Sequence, residues 1–222
     1  MLVREWMASD VITVDENTSM MKALHMMKEN NIRRLPVMAR GALVGILSDR
    51  DLKEASPSKA TTLDVHELYY LLAEIKVKEI MTKNPVTIHP EETVERAAVV
   101  MLEHKVSGLP VVNNKSELVG IITQSDVFRA FVNITGIYKG GVQFAFSLDD
   151  RPGSIKEVAD VVREYGGRIV SILSSTDMVA EGTRNVYIRL RNMPSEDLKK
   201  LEQALRQKFN VLYLAEDILK EL

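Results

Sequence analysis

The chain has 222 residues, enough for one large domain or for two to three small ones with ordinary cores. Its 45% hydrophobic and 27% charged content is that of globular proteins, and a net charge of -2 removes the electrostatic argument for DNA or an acidic membrane surface as partner. With no cysteine, disulfides, a thiol nucleophile and thiolate-held metals are excluded, and no apolar run approaches the roughly 20 residues that span a bilayer, so a cytoplasmic location is expected.

The first two thirds repeat. Met7 and Met81, Thr13 and Thr87, Ala23 and Ala97, Met27 and Met101, and Leu35-Pro36-Val37 and Leu109-Pro110-Val111 stand 74 positions apart. After one extra residue, Gly45, Ile46 and Asp51 match Gly120, Ile121 and Asp126 at a spacing of 75. Each copy predicts a short strand (residues 11–14; 86–88), an amphipathic helix, a strand beginning at Leu-Pro-Val, a strand ending at a hydroxyl residue, and a closing helix. Met20, Leu24 and Met27 give the first helix its apolar face, and Val94, Ala97, Ala98 and Met101 give its counterpart one. Met21, Met26 and Met27 are expected to fill gaps in the core. Two copies of a long period argue for two small domains packed face to face, with two equivalent clefts, and against an extended array. Between them, Pro57 and a Ser/Thr cluster break the chain, and Leu68, Leu71, Leu72 and Ile75 fit a connecting helix.

The stretches GILSDRD (residues 45–51) and GIITQSD (residues 120–126) share a pattern of Gly, apolar residues, a hydroxyl, and an Asp three positions later. A strand that ends at Ser48 or Thr123 and runs into a helix puts the hydroxyl and Asp51 or Asp126 on one rim. A carboxylate there can accept from two vicinal hydroxyls, and helix-start amides favour a phosphate. The same Asp can equally serve only to cap its helix.

Over residues 1–133 both copies resemble CBS motifs, and together a CBS pair, or Bateman module. The resemblance rests on the Met-x-x-x-x-x-Thr opening, the Leu-Pro-Val strand and the Gly-to-Asp ending, each found twice in register. It implies binding of adenine nucleotides or S-adenosylmethionine, with Asp51 and Asp126 on ribose hydroxyls and Ser48 and Thr123 near phosphate. It also implies a phosphate-binding cation at Arg34, next to Arg33, where the second copy has Ser107-Gly108, so the two clefts are expected to differ. Val106 and Ser107 are placed by the same resemblance on the wall of the first cleft.

The last third changes pattern. Val142, Phe144, Phe146 and Leu148 alternate as a strand, and Asp149 to Gly153 supply a turn. Ser154 with Glu157 reads as a capping box for a helix with Ile155, Val158, Ala159 and Val162 inward, stopped by Gly166-Gly167. Strands follow at residues 168–174 and 185–190, then a helix capped by Ser195 with Leu198, Leu201 and Leu205 inward, then a strand at 211–214. The order is βαββαβ, the ferredoxin-like split arrangement. With Asp150-Arg151-Pro152-Gly153 at its first turn, residues 141–216 look like an ACT domain. That resemblance implies a dimer and an amino-acid site at Asp150, Arg151, Pro152, Gly153 and Ser154, although the same tetrapeptide can act solely to shape the turn.

The expected organisation is thus α/β (α+β): CBS motif 1 at 1–55, a helical connector at 56–76, CBS motif 2 at 77–134, a linker at 135–140 and an ACT-like domain at 141–222. Along its whole length the chain is similar to the acetoin-utilisation protein B family, which implies a role near acetoin catabolism. His25, His66, His89 and His104 are scattered and form no metal-ligand spacing, and no GxSxG, HExxH, phosphate-loop or GxGxxG motif occurs. The expectation is a homodimeric regulatory protein, not an enzyme, with no required cofactor, no metal and no nucleic-acid or membrane partner. It would sense adenine nucleotide and act on an unidentified partner enzyme. The alternative makes the ACT-like tail an amino-acid sensor and the CBS pair a structural dimerisation module.

Overall fold

The computed structural model describes residues 1–56 and 73–216. Pro57, His66, Leu68, Leu71 and Leu72 of the expected connector lie outside the described residues, whereas Ile75 packs against a core. The chain divides into two compact units, Met1–Ala130 and a second beginning at Phe131.

In the first unit the duplication governs local structure. Helix α1 (Met20–Glu29) starts at Ser19, whose hydroxyl accepts from the Lys22 amide at 3.3 Å, and buries Met20, Ala23 and Met27. Met26 packs at the edge of the same core. The hairpin of β2 (Arg34–Ala39) and β3 (Ala42–Ser48) closes through Arg40 and Gly41, both at positive φ, as a two-residue turn requires. Helix α2 (Asp49–Ala55) follows at once. The second copy has the same plan, with α4 (Val94–Glu103) capped by Thr93, the hairpin of β5 (Gly108–Val112) and β6 (Leu118–Thr123), and α5 (Gln124–Thr135). Its extra residue is absorbed in the hairpin turn, so Gly45 faces Val37 and Gly120 faces Val111 in matching register.

The openings of the copies differ. In the first, β1 (Val14–Asp15) pairs in parallel with β2, and the Glu16 amide continues that contact to Met38 O at 3.1 Å. The strand expected at 86–88 is reduced to one bridge, Ile88 to Val111. Pro90 occupies the place of Glu16 and has no N–H to donate.

Each hydrophobic core is completed by the opening of the other copy. Val3 is fully buried among Val94, Ala97, Met101, Leu109 and Ile122 of the second copy, with Trp6 and Met7 packed alongside. Ala8 exchanges backbone hydrogen bonds with Ile121 at 2.9 and 3.0 Å. Reciprocally, helix α3 (Val77–Ile80) places Val77 among Val14, Met20, Leu35 and Leu47, and β4 (Thr82–Lys83) joins β3 to finish the sheet β1-β2-β3-β4. Gly45 and Gly120 make room for the exchange: a Cβ at either would run into Met81 Sδ or Met7 Sδ.

The second unit has β7 (Val142–Asp149), α6 (Ser154–Glu164), β8 (Ile169–Ser175), β9 (Thr183–Leu190), α7 (Ser195–Lys208) and β10 (Asn210–Glu216). Its antiparallel sheet runs β10-β7-β9-β8, which is the split βαββαβ order. Phe144, Phe146, Ile188, Leu190, Leu201 and Leu205 are fully buried between sheet and helices. Two expected caps are displaced. Gly153, at φ +91°, is the N-cap of α6, so Ser154 becomes its first helical residue and turns its side chain inward. Glu157 is then free of the cap and forks with Arg151, both bonds 2.8 Å long. Likewise Pro194, not Ser195, precedes α7, and no side chain caps it.

Candidate functional site

Both Gly-to-Asp stretches fold into the same corner. Asp51 Oδ2 accepts from the Ser48 amide and from Ser48 Oγ, each at 2.7 Å, and Asp126 Oδ2 accepts from the Thr123 amide at 2.8 Å and Thr123 Oγ1 at 2.7 Å. The capping function foreseen for these aspartates is therefore present, and it occupies one oxygen of each. The other oxygen separates the copies. Among the described residues, Asp51 Oδ1 has no donor, whereas Asp126 Oδ1 accepts from Arg129 Nη2 at 2.6 Å. Arg129 was not foreseen as a site residue, although its spacing of three from Asp126 on one helix was a signal, as was Glu54 at the matching place in the first copy.

Arg34 sits opposite Ser48 in the β2–β3 register, but its side chain leaves that corner and crosses to the other copy, where Nη2 donates to Ser107 Oγ. Its stem lies over Gly108, where a Cβ would come within 2.9 Å of Arg34 Cδ. Gly108 in turn faces Thr123. The glycine at the place matching Arg34 thus leaves the space that the arginine fills. Partial burial lowers the Arg34 pKa, Asp49 acts against that, and neighbouring Arg33 adds to it. Arg33 is exposed, and its carbonyl accepts from the Asp49 amide at 3.0 Å. Val106 packs against the second core beside Ser107. Arg34 makes no hydrogen bond to Ser48 or Asp51 among the described residues. The polar groups form a belt of three bonded segments, Asp51 with Ser48, Arg34 with Ser107, and Thr123 with Asp126 and Arg129, related by the strand register that sets Arg34 opposite Ser48 and Gly108 opposite Thr123. A hollow of about 300 Å³ between α1 and α2 is lined by Leu24, Met27, Ile32 and Leu52 and shares no residue with this belt.

In the second unit, Asp150, Arg151, Pro152, Gly153 and Ser154 line an open cleft of about 410 Å³ together with Ile155, Lys156 and Arg184. Arg184 Nε donates to Asp150 Oδ1 at 2.7 Å, a contact from β9 that the sequence did not reveal. Ser154 is 4% exposed, and its hydroxyl oxygen has no hydrogen-bond partner among the described residues.

The CBS domain model matches residues 3–58 and 77–133. The chain belongs to the CBS-domain family. A CBS domain-containing protein of Dictyostelium discoideum is 36% identical over 134 residues, which is 60% of this chain and 92% of the relative. Among solved structures, the CBS domain pair crystallised with 5′-methylthioadenosine and S-adenosyl-L-methionine is 31% identical, with a TM-score of 0.50 over 60% of this chain and 97% of its own. A Vibrio cholerae protein described as an acetoin utilization protein is 29% identical, with a TM-score of 0.51 over 63% of this chain and 96% of its own. In this CBS pair the belt runs through both matched segments, since Arg34, Ser48 and Asp51 fall in one and Ser107, Thr123, Asp126 and Arg129 in the other. Among the described residues no cluster of three or more His, Asp or Glu is arranged to hold a metal, and no helix is long and apolar enough to cross a membrane.

Proposed function

We propose that the CBS pair is a regulatory sensor for an adenine nucleotide, AMP, ADP, ATP or S-adenosylmethionine, held at the Asp51 and Asp126 corners of the belt. The carrying observation is the open Oδ1 of Asp51, which among the described residues has no donor and is ready to accept ribose hydroxyls, on the helix that follows the hairpin carrying a partly buried guanidinium, Arg34. The adenosine compounds bound by a 31%-identical CBS pair support the ligand class. Signalling follows from the bond between Arg34 and Ser107, which ties the two copies together. A ligand phosphate competes with Ser107 for the guanidinium, so the liganded pair favours a different packing of the copies. That difference is read by a homodimer partner or by an enzyme docked on the pair, in the cytoplasm and without catalysis by this chain; likeness to the Vibrio protein supports a role near acetoin use. Calorimetry of the full chain with each of the four ligands is the test, and a folded sample that binds none of them refutes the reading.

A second reading is favoured by Ser154. Ser154 lines the Asp150–Arg184 cleft and its hydroxyl has no partner among the described residues, which supports an amino acid held by an ACT-like unit, with the CBS pair as a dimerisation module. It predicts a thermal shift with free amino acids that is lost in Gly153→Asp and retained in Asp51→Ala.

A further inference from the structure

The duplicated corners are an internal control, because one fold presents the same hydroxyl and the same carboxylate twice. A carboxylate has about four acceptor positions. At each corner the capping bonds take two of them, both on Oδ2. Asp51 Oδ1 keeps its two, and the helix position that could supply a cation carries Glu54 instead, which is exposed. Asp126 Oδ1 is engaged by Arg129, whose Nη2 also reaches the Trp6 carbonyl at 3.5 Å. The vicinal diol of a ribose donates two hydrogen bonds. Asp51 Oδ1 has room for both, whereas at Asp126 one place is held by a charge-assisted bond, which is stronger than a bond from a neutral hydroxyl.

We propose that Arg129 is a resident competitor for the diol of a ribonucleoside, so that the Asp51 corner fills first and the Asp126 corner fills only as Arg129 swings away. This rests on the nucleotide reading above and adds which corner leads and what sets them apart. The competition is graded. Arg129 is 64% exposed and Asp126 is 14% exposed, and a pair of that kind separates two otherwise equal sites by about five-fold at most. Glu54 and Arg129 are both exposed, so replacing either leaves the cores untouched.

The experiment isolates each corner in the full chain and titrates AMP by calorimetry. In an Asp51→Asn background, where Asn keeps an acceptor for the cap, adding Arg129→Gln tightens the remaining event about five-fold. In an Asp126→Asn background, adding Glu54→Arg weakens the remaining event by a similar factor. General electrostatics predicts the reverse in both arms, since removing a cation weakens and adding one strengthens attraction for an anionic nucleotide. Dissociation constants that stay unchanged, or that move in those opposite directions, overturn the role of Arg129 while the nucleotide reading stands. Absence of any event in the unaltered chain with AMP, ADP, ATP or S-adenosylmethionine overturns both.

Discussion

A methyl group added at Gly45 would collide with Met81 Sδ and meet both Met81 Cγ and the Thr82 carbonyl oxygen at 3.0 Å. Gly45 belongs to the first copy and Met81 to the opening of the second, so Gly45→Ala probes the exchange of opening segments directly. The Met81 tip can bend away, but Thr82 is fixed by its pairing with Ile46, so the overpacking cost should be about 2 kcal/mol. Met81→Ala alone removes a half-buried side chain, at about 1–2 kcal/mol. In the double variant the collision with sulfur is gone and the new methyl fills part of the vacated space. The double variant should therefore cost about 1 kcal/mol less than the sum of the two single costs. Urea unfolding of the four proteins measures this, followed at Trp6, the single tryptophan, which reports the first unit because it packs in that unit's second core. Costs that add within about 0.3 kcal/mol would refute the packing of Met81 on Gly45, and with it the crossed-over cores.

Arg34→Ala should weaken AMP binding about ten-fold and adenosine binding less than about two-fold, because the guanidinium recognises phosphate; equal losses by calorimetry would confine Arg34 to holding the copies together. Ser154→Ala deletes a buried hydroxyl that has no partner among the described residues and should stabilise the second unit by roughly 1 kcal/mol in chemical unfolding; a loss of stability would mean that the hydroxyl is satisfied. Arg151 holds the exposed Glu157 carboxyl below its ordinary range, so the pair's contribution is present at neutral pH and lost as pH falls through that lowered value. Melting curves should show a small gap between the unaltered chain and Glu157→Gln near neutrality that closes in acid and in high salt, and a gap that persists in acid contradicts the pairing.

Much of the candidate site could be read from the chain because it is local. The hydroxyl and aspartate three residues apart meet at a strand-to-helix junction wherever that junction forms, and both copies form it. The reach of long side chains was not available in this way. Arg34 is expected in one cleft with Ser48, Asp51, Val106 and Ser107, but the sequence does not show that its guanidinium bonds Ser107 and, among the described residues, neither Ser48 nor Asp51, because a flexible stem takes the space that Gly108 leaves open across the pair. Ser154 shows a different failure. Ser-x-x-Glu satisfies the capping pattern, yet a left-handed Gly153 one residue earlier takes the cap and leaves the serine side chain buried.

Periodicity and repetition by themselves determined two copies of one α/β motif, the βαββαβ order of the tail, the inward faces of the helices and the twin hydroxyl–aspartate corners, since each depends on residues a few positions apart. Which copy the openings at Val3 and Val77 complete was decided by the tertiary structure alone. The copies are similar enough that either placement satisfies the same hydrophobic pattern. Only the fit of Met7 over Gly120 and Met81 over Gly45, with the backbone bonds from Ala8 and Thr82 to the opposite hairpins, distinguishes the exchanged arrangement.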